Sequence, residues 1–420
     1  MVLTALFLPC ASGVESLLAD EARRITGAAV DSARGGVWVE GDERAAMQLN
    51  LESRLAQRVL WPLIDGPYRD EHELYALARR VPWQHWINPE QTLRVEVSAQ
   101  RSPLTSLNFA ALRIKDAVCD SLRESAGARP SVDTRRPDLP LFLFVGPDHA
   151  TLYADTSGDA LFKRGWREDT GEAPLKETLA AAMLAAAGWQ GRAEDGPLLD
   201  PCCGAGTIVI EAAQIACGIA PGALRHFAFE RMLPFRPHLP AWRELQRTAR
   251  ERVHAPLVPV YAGDVSFRMT DFATRNAERA GVLGAGIRAI EFKTADALQR
   301  LPPAATGTLM LNPPYGERIA PKGSRGGATA APAGMAREAF EGGGSPAEFF
   351  NALAAHWKRH YSGWTAWLLS PEMKLGGLMH MKESRRVPMW NGPIECRLFR
   401  FDIVAGAGPG ARARPSAEQA

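Results

Sequence analysis

Two turns, each following a strand-like run, hold the residues of this sequence that could do chemistry. Residues 200–206 (DPCCGAG) follow the run 197–199, and residues 312–315 (NPPY) follow the run 308–311. A glycine turn between a strand and a helix lets the backbone approach the amino-acid end of an adenosyl cofactor. A turn with two prolines leaves oxygen acceptors facing a planar amine, because proline has no N–H to donate. Together the two turns predict methyl transfer from S-adenosylmethionine to an exocyclic amine.

The second turn predicts the acceptor pocket. The side-chain oxygen of Asn312 and the carbonyl oxygen of Pro313 are expected to accept the two hydrogens of the amine, while Pro314 helps to fix the turn. Tyr315 is expected to stack on the acceptor ring, a contact worth roughly 1–3 kcal/mol per base. We assign these four residues as catalytic, because the lone pair of an aryl amine must be aimed at the methyl group. Positioning of this kind can supply on the order of 7–11 kcal/mol.

The first turn and two later strand ends predict the cofactor site. Gly204 and Gly206 allow the tight turn, and Asp200 can take the ammonium group of the cofactor. Asp264 is expected to accept both ribose hydroxyls, and Asp296 can take the adenine amine, since ligands bind at the carboxyl ends of strands in such sheets. Dinucleotide binding is the usual rival. However, the full GxGxxG spacing is absent, and the next acidic strand end comes far later than the roughly 20 residues expected.

Length, charge and cysteines bound the class of protein. A chain of 420 residues predicts two or three domains, and a net charge of +2 means that any nucleic-acid surface must be a local patch. Six cysteines without a repeated CxxC arrangement indicate a reduced, cytoplasmic protein. Adjacent Cys202 and Cys203 suit neither a zinc site nor a disulfide, so no metal is expected, and Cys202 is assigned to the cofactor lining. No segment reaches the roughly 18 apolar residues that span a bilayer.

The elements that must position these turns follow an α/β pattern. Residues 158–404 alternate apolar strands with helices, which predicts a doubly wound, mostly parallel sheet. Residues 66–157 form a smaller α/β unit. Residues 1–65 form a small α+β module that includes a helical pattern over residues 43–61. Neither of these two units contains a catalytic-type motif.

The second unit and the segment after it are rich in basic residues. Phosphate contacts from such residues supply affinity without reading sequence. The candidates for RNA binding are Arg113, Lys115, Arg135, Arg136, Lys163 and Arg164. For any single one of them, an ordinary solvated surface residue is the alternative interpretation.

These motifs, in this order, resemble the bacterial 23S rRNA guanine-N2 methyltransferases that carry a THUMP domain. The resemblance also rests on residues 161–167 (LFKRGWR), 173–180 (APLKETLA), 311–318 (LNPPYGER) and 391–398 (NGPIECRL). It covers nearly the whole chain.

The resemblance implies three domains: a ferredoxin-like module at residues 1–65, a THUMP domain at residues 66–157 that holds RNA, and a Rossmann-like class I methyltransferase domain with a seven-stranded sheet at residues 158–404. It implies 23S rRNA or a large-subunit precursor as the partner and N2-methylguanosine as the product. It also adds Glu177 to the cofactor residues, because the helix that begins there lies near the cofactor in such proteins. From the residues alone, Glu177 is an ordinary helix start, and both interpretations stand.

Three departures from the family pattern are evident. Ser266 occupies a position where an acidic residue is common, so the ribose would depend on Asp264 alone. Residues 321–345, rich in Gly, Ala and Pro, look like an inserted mobile loop, and residues 405–420 are expected to form a disordered tail. Some members fuse a second methyltransferase half, for which this chain is too short.

Several alternatives remain open at this point. An Asn-Pro-Pro-Tyr turn suits the N6 amine of adenine in DNA or RNA equally well, and the amide of a glutamine side chain is a further acceptor. A tRNA guanine is another candidate substrate. A protein of a different class, a non-catalytic RNA-binding or assembly factor, would keep the fold and bind cofactor without turnover. The sequence does not determine the modified nucleotide or the oligomeric state.

Overall fold

The computed structural model describes residues 4–171, 174–284, 286–313 and 346–404. The expected loop at 321–345 and the expected tail at 405–420 therefore lie outside the described residues.

The N-terminal part of the chain builds one eight-stranded sheet with four helices. The strands run in the order β2-β3-β1-β4-β8-β7-β5-β6. The strands are β1 (Thr4–Pro9), β2 (Val30–Ala33), β3 (Gly36–Gly41), β4 (Leu60–Pro67), β5 (Thr92–Ala99), β6 (Ser131–Val132), β7 (Leu139–Val145) and β8 (His149–Asp155). The helices are α1 (Glu15–Thr26), α2 (Glu43–Glu52), α3 (Glu71–Ala78) and α4 (Leu107–Ala126).

Strand β4 joins the ferredoxin-like module to the unit that follows it. It pairs with β1 on one side and, over most of its length, with β8 on the other. Because β4 passes through residues 65 and 66, the two units share one continuous sheet, and the division between them remains a prediction.

Helix α2 ends at Glu52, so the helix expected over residues 43–61 is too long. A tertiary contact stops it: the carboxylate of Glu21 accepts hydrogen bonds from the Ser53 hydroxyl and from the backbone N–H groups of Arg54 and Leu55. These bonds hold Ser53 in an extended conformation, and the chain then enters β4.

The C-terminal part builds a second sheet of seven strands in the order β13-β10-β9-β14-β15-β17-β16. Its strands are β9 (Leu198–Asp200), β10 (Val260–Asp264), β13 (Ile290–Thr294), β14 (Gly307–Leu311), β15 (Trp364–Ser370), β16 (Arg385–Asn391) and β17 (Ile394–Asp402), and a separate small pair is formed by β11 (Leu283–Gly284) and β12 (Ile287–Arg288). The helices are α5 (Glu177–Ala187), α6 (Thr207–Ala216), α7 (Leu239–Glu251), α8 (Phe267–Arg279), α9 (Pro346–His360) and α10 (Leu375–Leu378).

This topology confirms the predicted doubly wound sheet. Strands β13, β10, β9, β14 and β15 are parallel, and β17 and β16 close the sheet as an antiparallel hairpin. The sheet is buried on both faces, as parallel sheets are. Successive residues of β9 show this, since Leu198 packs into one apolar cluster and Leu199 into the other. All five parallel strands therefore end at one edge, here called the carboxyl edge.

Candidate active site

Three carboxylates meet at the carboxyl edge, as the strand ends predicted. Asp200 is the last residue of β9, Asp264 is the last residue of β10, and Asp296 follows two residues after β13. The thiol of Cys202 lies among them. Burial is the main reason that its pKa is raised, and the carboxylates of Asp200, Asp264 and Asp296 raise it further. These four residues therefore form one cluster.

The glycine turn has the backbone conformation that the sequence predicted. Gly204 and Gly206 have φ angles of 51° and 90°, in the left-handed region that favours glycine. A Cβ at Gly206 would lie 3.0 Å from the Cβ of Ala273 in α8, whereas a Cβ at Gly204 would meet nothing within 4 Å. Gly206 thus allows close packing, while Gly204 borders open space. Helix α6 begins directly after the turn, so its N-terminus points into the cluster.

Asp264 is bonded to the glycine turn itself. One carboxylate oxygen accepts the backbone N–H of Gly204 at 3.0 Å, and the other accepts that of Ser266 at 3.0 Å. A carboxylate oxygen can accept more than one hydrogen bond, so binding of ribose hydroxyls is compatible with these bonds. Ser266, where the resemblance predicted an acidic residue, contributes its backbone N–H to Asp264.

Asp200 is a buried carboxylate that no lysine or arginine of the described residues pairs with. It is 1% exposed and accepts the backbone N–H of Cys202 at 3.0 Å. Burial raises its pKa to about 8, and neighbouring Asp264 contributes to the increase. Within the described part of the chain, no lysine or arginine forms an ion pair with it. Because a buried charge is stable only when paired, this carboxylate fits a cationic ligand such as the ammonium group of S-adenosylmethionine.

Asp296 lies at the half-buried rim of the cluster. Its carboxylate accepts the backbone N–H of Leu298 at 2.8 Å. The residue before it, Ala295, donates its N–H to the carbonyl oxygen of Asp264 at 2.9 Å. This backbone bond fixes the distance between the two strand ends that were assigned to ribose and adenine.

The acceptor turn begins where β14 ends, one strand away from Asp200 in the sheet. Asn312 directly follows Leu311, the last residue of β14, and is half-buried, while Pro313 is buried. Leu309 of β14 pairs with Leu199 of β9, so both turns leave the sheet at the same edge. Pro314 and Tyr315, the other two residues assigned as catalytic, lie outside the described residues.

Glu177 is connected to the cofactor turn through an arginine that the sequence analysis did not single out. Arg167 binds the carboxylate of Glu177 at 2.6 Å and the hydroxyl of Thr207, the first residue of α6, at 2.6 Å. Glu177 is 3% exposed, and burial raises its pKa although Arg167 acts in the opposite direction. The bridge holds the N-termini of α5 and α6 together.

Asn276 of α8 is a second residue of the site that the sequence did not predict. It is fully buried, and its amide donates to the carbonyl oxygens of Asp169 and Ala205 at 2.9 and 3.0 Å. It therefore ties the segment before α5 to the glycine turn. No local pattern marks it, because an asparagine in a polar helix is ordinary.

The structure contradicts the assignment of Arg164 to RNA binding. Its side chain is 1% exposed and forms an ion pair with Glu211 of α6 at 3.0 Å. It also donates to the carbonyl oxygens of Leu161 and Arg54. A guanidinium saturated in this way cannot reach a phosphate. The basic run around it suggested a surface, but a buried acidic residue far along the chain decides its position.

The other five RNA-binding candidates lie at or near the surface. Arg113 packs 4.5 Å from the ring centre of Tyr75 and pairs with Asp116, which also binds Lys115 at 2.7 Å. Arg135 and Arg136 are exposed, in the loop between β6 and β7. Lys163 is exposed and pairs with Asp159 at 3.0 Å.

Neither a metal-binding cluster nor a membrane-spanning helix is present among the residues that the structure describes. Among those residues, no group of three or more His, Cys, Asp or Glu side chains could hold a metal ion. In the same ranges, no helix is both long and apolar enough to cross a membrane.

Comparison with known families matches three consecutive models. An RlmL ferredoxin-like domain matches residues 5–60, a THUMP domain matches residues 68–155, and an RMKL-like methyltransferase domain matches residues 164–345. The chain therefore carries a ferredoxin-like domain, a THUMP domain and an RMKL-like methyltransferase domain in this order. The family resemblance that the motifs predicted is thereby confirmed.

Curated ribosomal RNA methyltransferases are similar to nearly the whole chain. "Ribosomal RNA large subunit methyltransferase K/L" of Syntrophotalea carbinolica is 38% identical over 95% of this chain and 53% of its own length. The protein of the same name from Methylococcus capsulatus is 36% identical over 95% of this chain and 51% of its own length. The chain thus spans about half the length of these relatives.

Solved structures share the fold of this chain over nearly its whole length. A protein described as a possible methylase from Clostridium difficile 630 superimposes with a TM-score of 0.80 and 26% identity, covering 99% of this chain and 100% of that one. A protein described as a predicted N6-adenine-specific DNA methylase from Listeria monocytogenes gives 0.79 and 25%, covering 96% of both chains.

Proposed function

We propose that this protein transfers a methyl group from S-adenosylmethionine to the N2 amine of a guanosine in 23S rRNA. The observation that carries the proposal is the arrangement of the two turns. The buried carboxylate of Asp200, which favours a cationic ligand, lies at the end of β9. The turn that begins at Asn312, which we propose accepts the amine, follows the neighbouring strand β14. The names of the curated relatives support ribosomal RNA as the substrate.

The cofactor would supply an electrophilic methyl group, and the residues of the chain would hold it in place. Asp200 pairs with its ammonium group, the turn of Cys202, Gly204 and Gly206 encloses its amino-acid end, and Asp264 accepts the ribose hydroxyls. Asp296 takes the adenine amine. Glu177 acts through Arg167, by keeping α5 and α6 at the correct distance.

Asn312 and Pro313 would orient the acceptor. The side-chain oxygen of Asn312 and the carbonyl oxygen of Pro313 accept the two hydrogens of the guanine amine, and Tyr315, next to Pro314, stacks on the base. With both hydrogens held, the nitrogen lone pair faces the methyl group. Such positioning can supply on the order of 7–11 kcal/mol, so neither a metal nor a strong base is required.

The RNA would be held by the THUMP domain together with the segment that follows it. Arg113, Lys115, Arg135, Arg136 and Lys163 are the proposed phosphate contacts, and Arg164 is excluded from them. The target base must leave its stack to enter the pocket, at a cost of a few kcal/mol that is smaller for an unpaired base. We propose that the protein acts in the cytoplasm, on free 23S rRNA or on a large-subunit precursor.

The proposal is tested by incubating the protein with unmodified 23S rRNA and isotopically labelled cofactor, followed by mass spectrometry of the nucleosides. Labelled N2-methylguanosine is the expected product. N6-methyladenosine would favour adenine-N6 methylation, the second candidate, which the name of the Listeria protein supports. Absence of any labelled nucleoside from rRNA, tRNA and DNA substrates would contradict both.

A further inference from the structure

A polar cavity lies at the carboxyl edge, beside the proposed methyl-transfer site and separate from its residues. It has a volume of about 240 Å³. Four parts of the chain line it: the loop after β1, Gln57 in the segment between α2 and β4, the start of α5, and the turn between β16 and β17. Because Ser370 at the end of β15 pairs with Arg397 near the start of β17, that hairpin turn projects from the carboxyl edge.

The walls of the cavity are held in place by close packing between the N-terminal module and the hairpin. A Cβ at Gly13 would collide with the carbonyl oxygen of Pro388 in β16. The backbone N–H of Gln57 also donates to the carbonyl oxygen of Pro9 at 2.7 Å. The cavity is therefore a feature built by two domains and not a gap between loosely associated parts.

The side chains that line the cavity include donors without partners. Thr178 is only 6% exposed, yet within the described ranges its hydroxyl has no hydrogen-bond partner. The same holds for the side chains of Ser12 and Gln57. The hydroxyl of Thr178 is not among the described buried atoms that lack a partner, so it is open to the cavity and can donate to a ligand there.

The charge of the lining favours an anion. Lys176 is exposed, its ammonium group lies 5.0 Å from the ring centre of Phe162, and no described carboxylate pairs with it. None of the described residues that line the cavity is acidic. Two nearby carboxylates are already engaged: Glu15 accepts the backbone N–H groups of Gly13 and Gly35, and Glu177, which lies between Lys176 and Thr178 in the chain, binds Arg167 at 2.6 Å.

The size of the cavity selects a small group and not a whole nucleotide. Its volume is below the roughly 300–1,000 Å³ of sites that enclose a drug-sized ligand. A single phosphate with part of its sugar fits that limit, and Trp390 supplies an apolar wall. We propose that this cavity binds a backbone phosphate of the RNA strand that carries the target base. The inference rests on the proposed function, because it takes the ligand to be the substrate RNA.

The experiment compares three variants with the wild-type protein: Lys176→Gln, Thr178→Val, and Lys382→Gln as a matched control. Lys382 is an exposed lysine before β16, at the end of the hairpin opposite the turn. Binding to in vitro transcribed, unmodified 23S rRNA is measured at several salt concentrations. Thermal unfolding and affinity for S-adenosylmethionine are measured on the same samples.

Lys176→Gln should weaken RNA binding roughly three- to tenfold and reduce the slope of log K against log salt by about one, as the loss of one phosphate contact does. Thr178→Val should weaken binding about two- to tenfold with an unchanged slope, because it removes one neutral hydrogen bond. Lys382→Gln should leave both quantities unchanged, and all variants should unfold at the wild-type temperature and bind the cofactor normally.

The outcomes separate this inference from the proposed function. If the wild-type protein does not bind the RNA, the proposed function fails and the inference fails with it. If the wild-type protein binds and Lys176→Gln has the wild-type affinity and salt slope, only the inference is overturned. Loss of cofactor affinity in Lys176→Gln would also overturn it, by making the cavity part of the cofactor site.

Discussion

The carboxylate of Asp264 accepts a hydrogen bond from the backbone N–H of Gly204 at 3.0 Å. The residue proposed to hold the ribose thus also supports the turn proposed to hold the amino-acid end of the cofactor. The end of β10 and the glycine turn after β9 therefore act as one unit, and a substitution in either is expected to disturb both.

Asp264→Ala should weaken cofactor binding by at least tenfold. The substitution removes the ribose acceptor and a charge-assisted bond to Gly204, and a bond to a charged group is worth about 1.5–3 kcal/mol. Isothermal titration with S-adenosylmethionine measures the change. Asp264→Asn, which keeps one acceptor oxygen, should have an intermediate affinity. An unchanged dissociation constant in Asp264→Ala would remove this residue from the site.

Cofactor affinity should increase with pH because of Asp200. Burial raises the pKa of this carboxyl to about 8, so at lower pH it carries a proton that a cationic ligand must displace. One released proton gives an increase of up to tenfold in affinity per pH unit below that pKa, and above it the affinity should fall because the ammonium group of the cofactor loses its proton. The dissociation constant is measured from about pH 6 to pH 9.

Asp200→Asn serves as the control for this titration, since the amino group of the cofactor itself has an unperturbed pKa of about 8. The variant should bind weakly and lose the part of the pH dependence that belongs to the protein. Identical pH profiles for the two proteins would show that Asp200 does not exchange a proton on binding.

Arg164→Met should destabilise the fold and leave RNA affinity of the folded protein unchanged. Arg164 and Arg54 both pair with the fully buried carboxylate of Glu211, at 3.0 and 3.2 Å. Removing one partner of a buried pair typically costs about 3–5 kcal/mol, and the remaining Arg54 places the expected loss near the lower limit. Chemical denaturation measures it.

Arg136→Ala is the counterpart of Arg164→Met, because Arg136 is exposed. It should weaken RNA binding and leave the free energy of unfolding unchanged. The contrary result is that Arg164→Met weakens RNA binding and leaves the free energy of unfolding unchanged. That result would contradict the burial of Arg164 in its ion pair with Glu211 and would return it to the RNA-binding candidates.

The sequence predicted the features of the site that depend on local order. Each of the four residues predicted to line the site follows a strand-like run, and parallel strands end at the same edge of a sheet. These residues are Asp200, Asp264, Asp296 and Asn312. The positive φ angles at Gly204 and Gly206 follow from residue type and position in the same way.

Features that depend on long-range contacts were not predictable. In the sequence, Arg164 resembles its exposed neighbour Lys163. It is buried in the structure because it pairs with Glu211, which is remote in sequence. Helix α2 ends early because of Glu21, a residue from the preceding helix. The bridge from Glu177 through Arg167 to Thr207 likewise joins three separate stretches. In each case a buried polar partner, and not local propensity, decides the structure.

The most direct test of the methyl-transfer site is Asn312→Ala, assayed for both catalysis and cofactor binding. Single-turnover transfer of labelled methyl groups to unmodified 23S rRNA should fall by at least a hundredfold, in proportion to the roughly 3 kcal/mol or more that correct positioning of the amine contributes. Affinity for S-adenosylmethionine should stay within a few fold of wild type, because Asn312 leaves the sheet from a different strand than Asp200 and Asp264. Transfer at the wild-type rate in this variant would contradict the account.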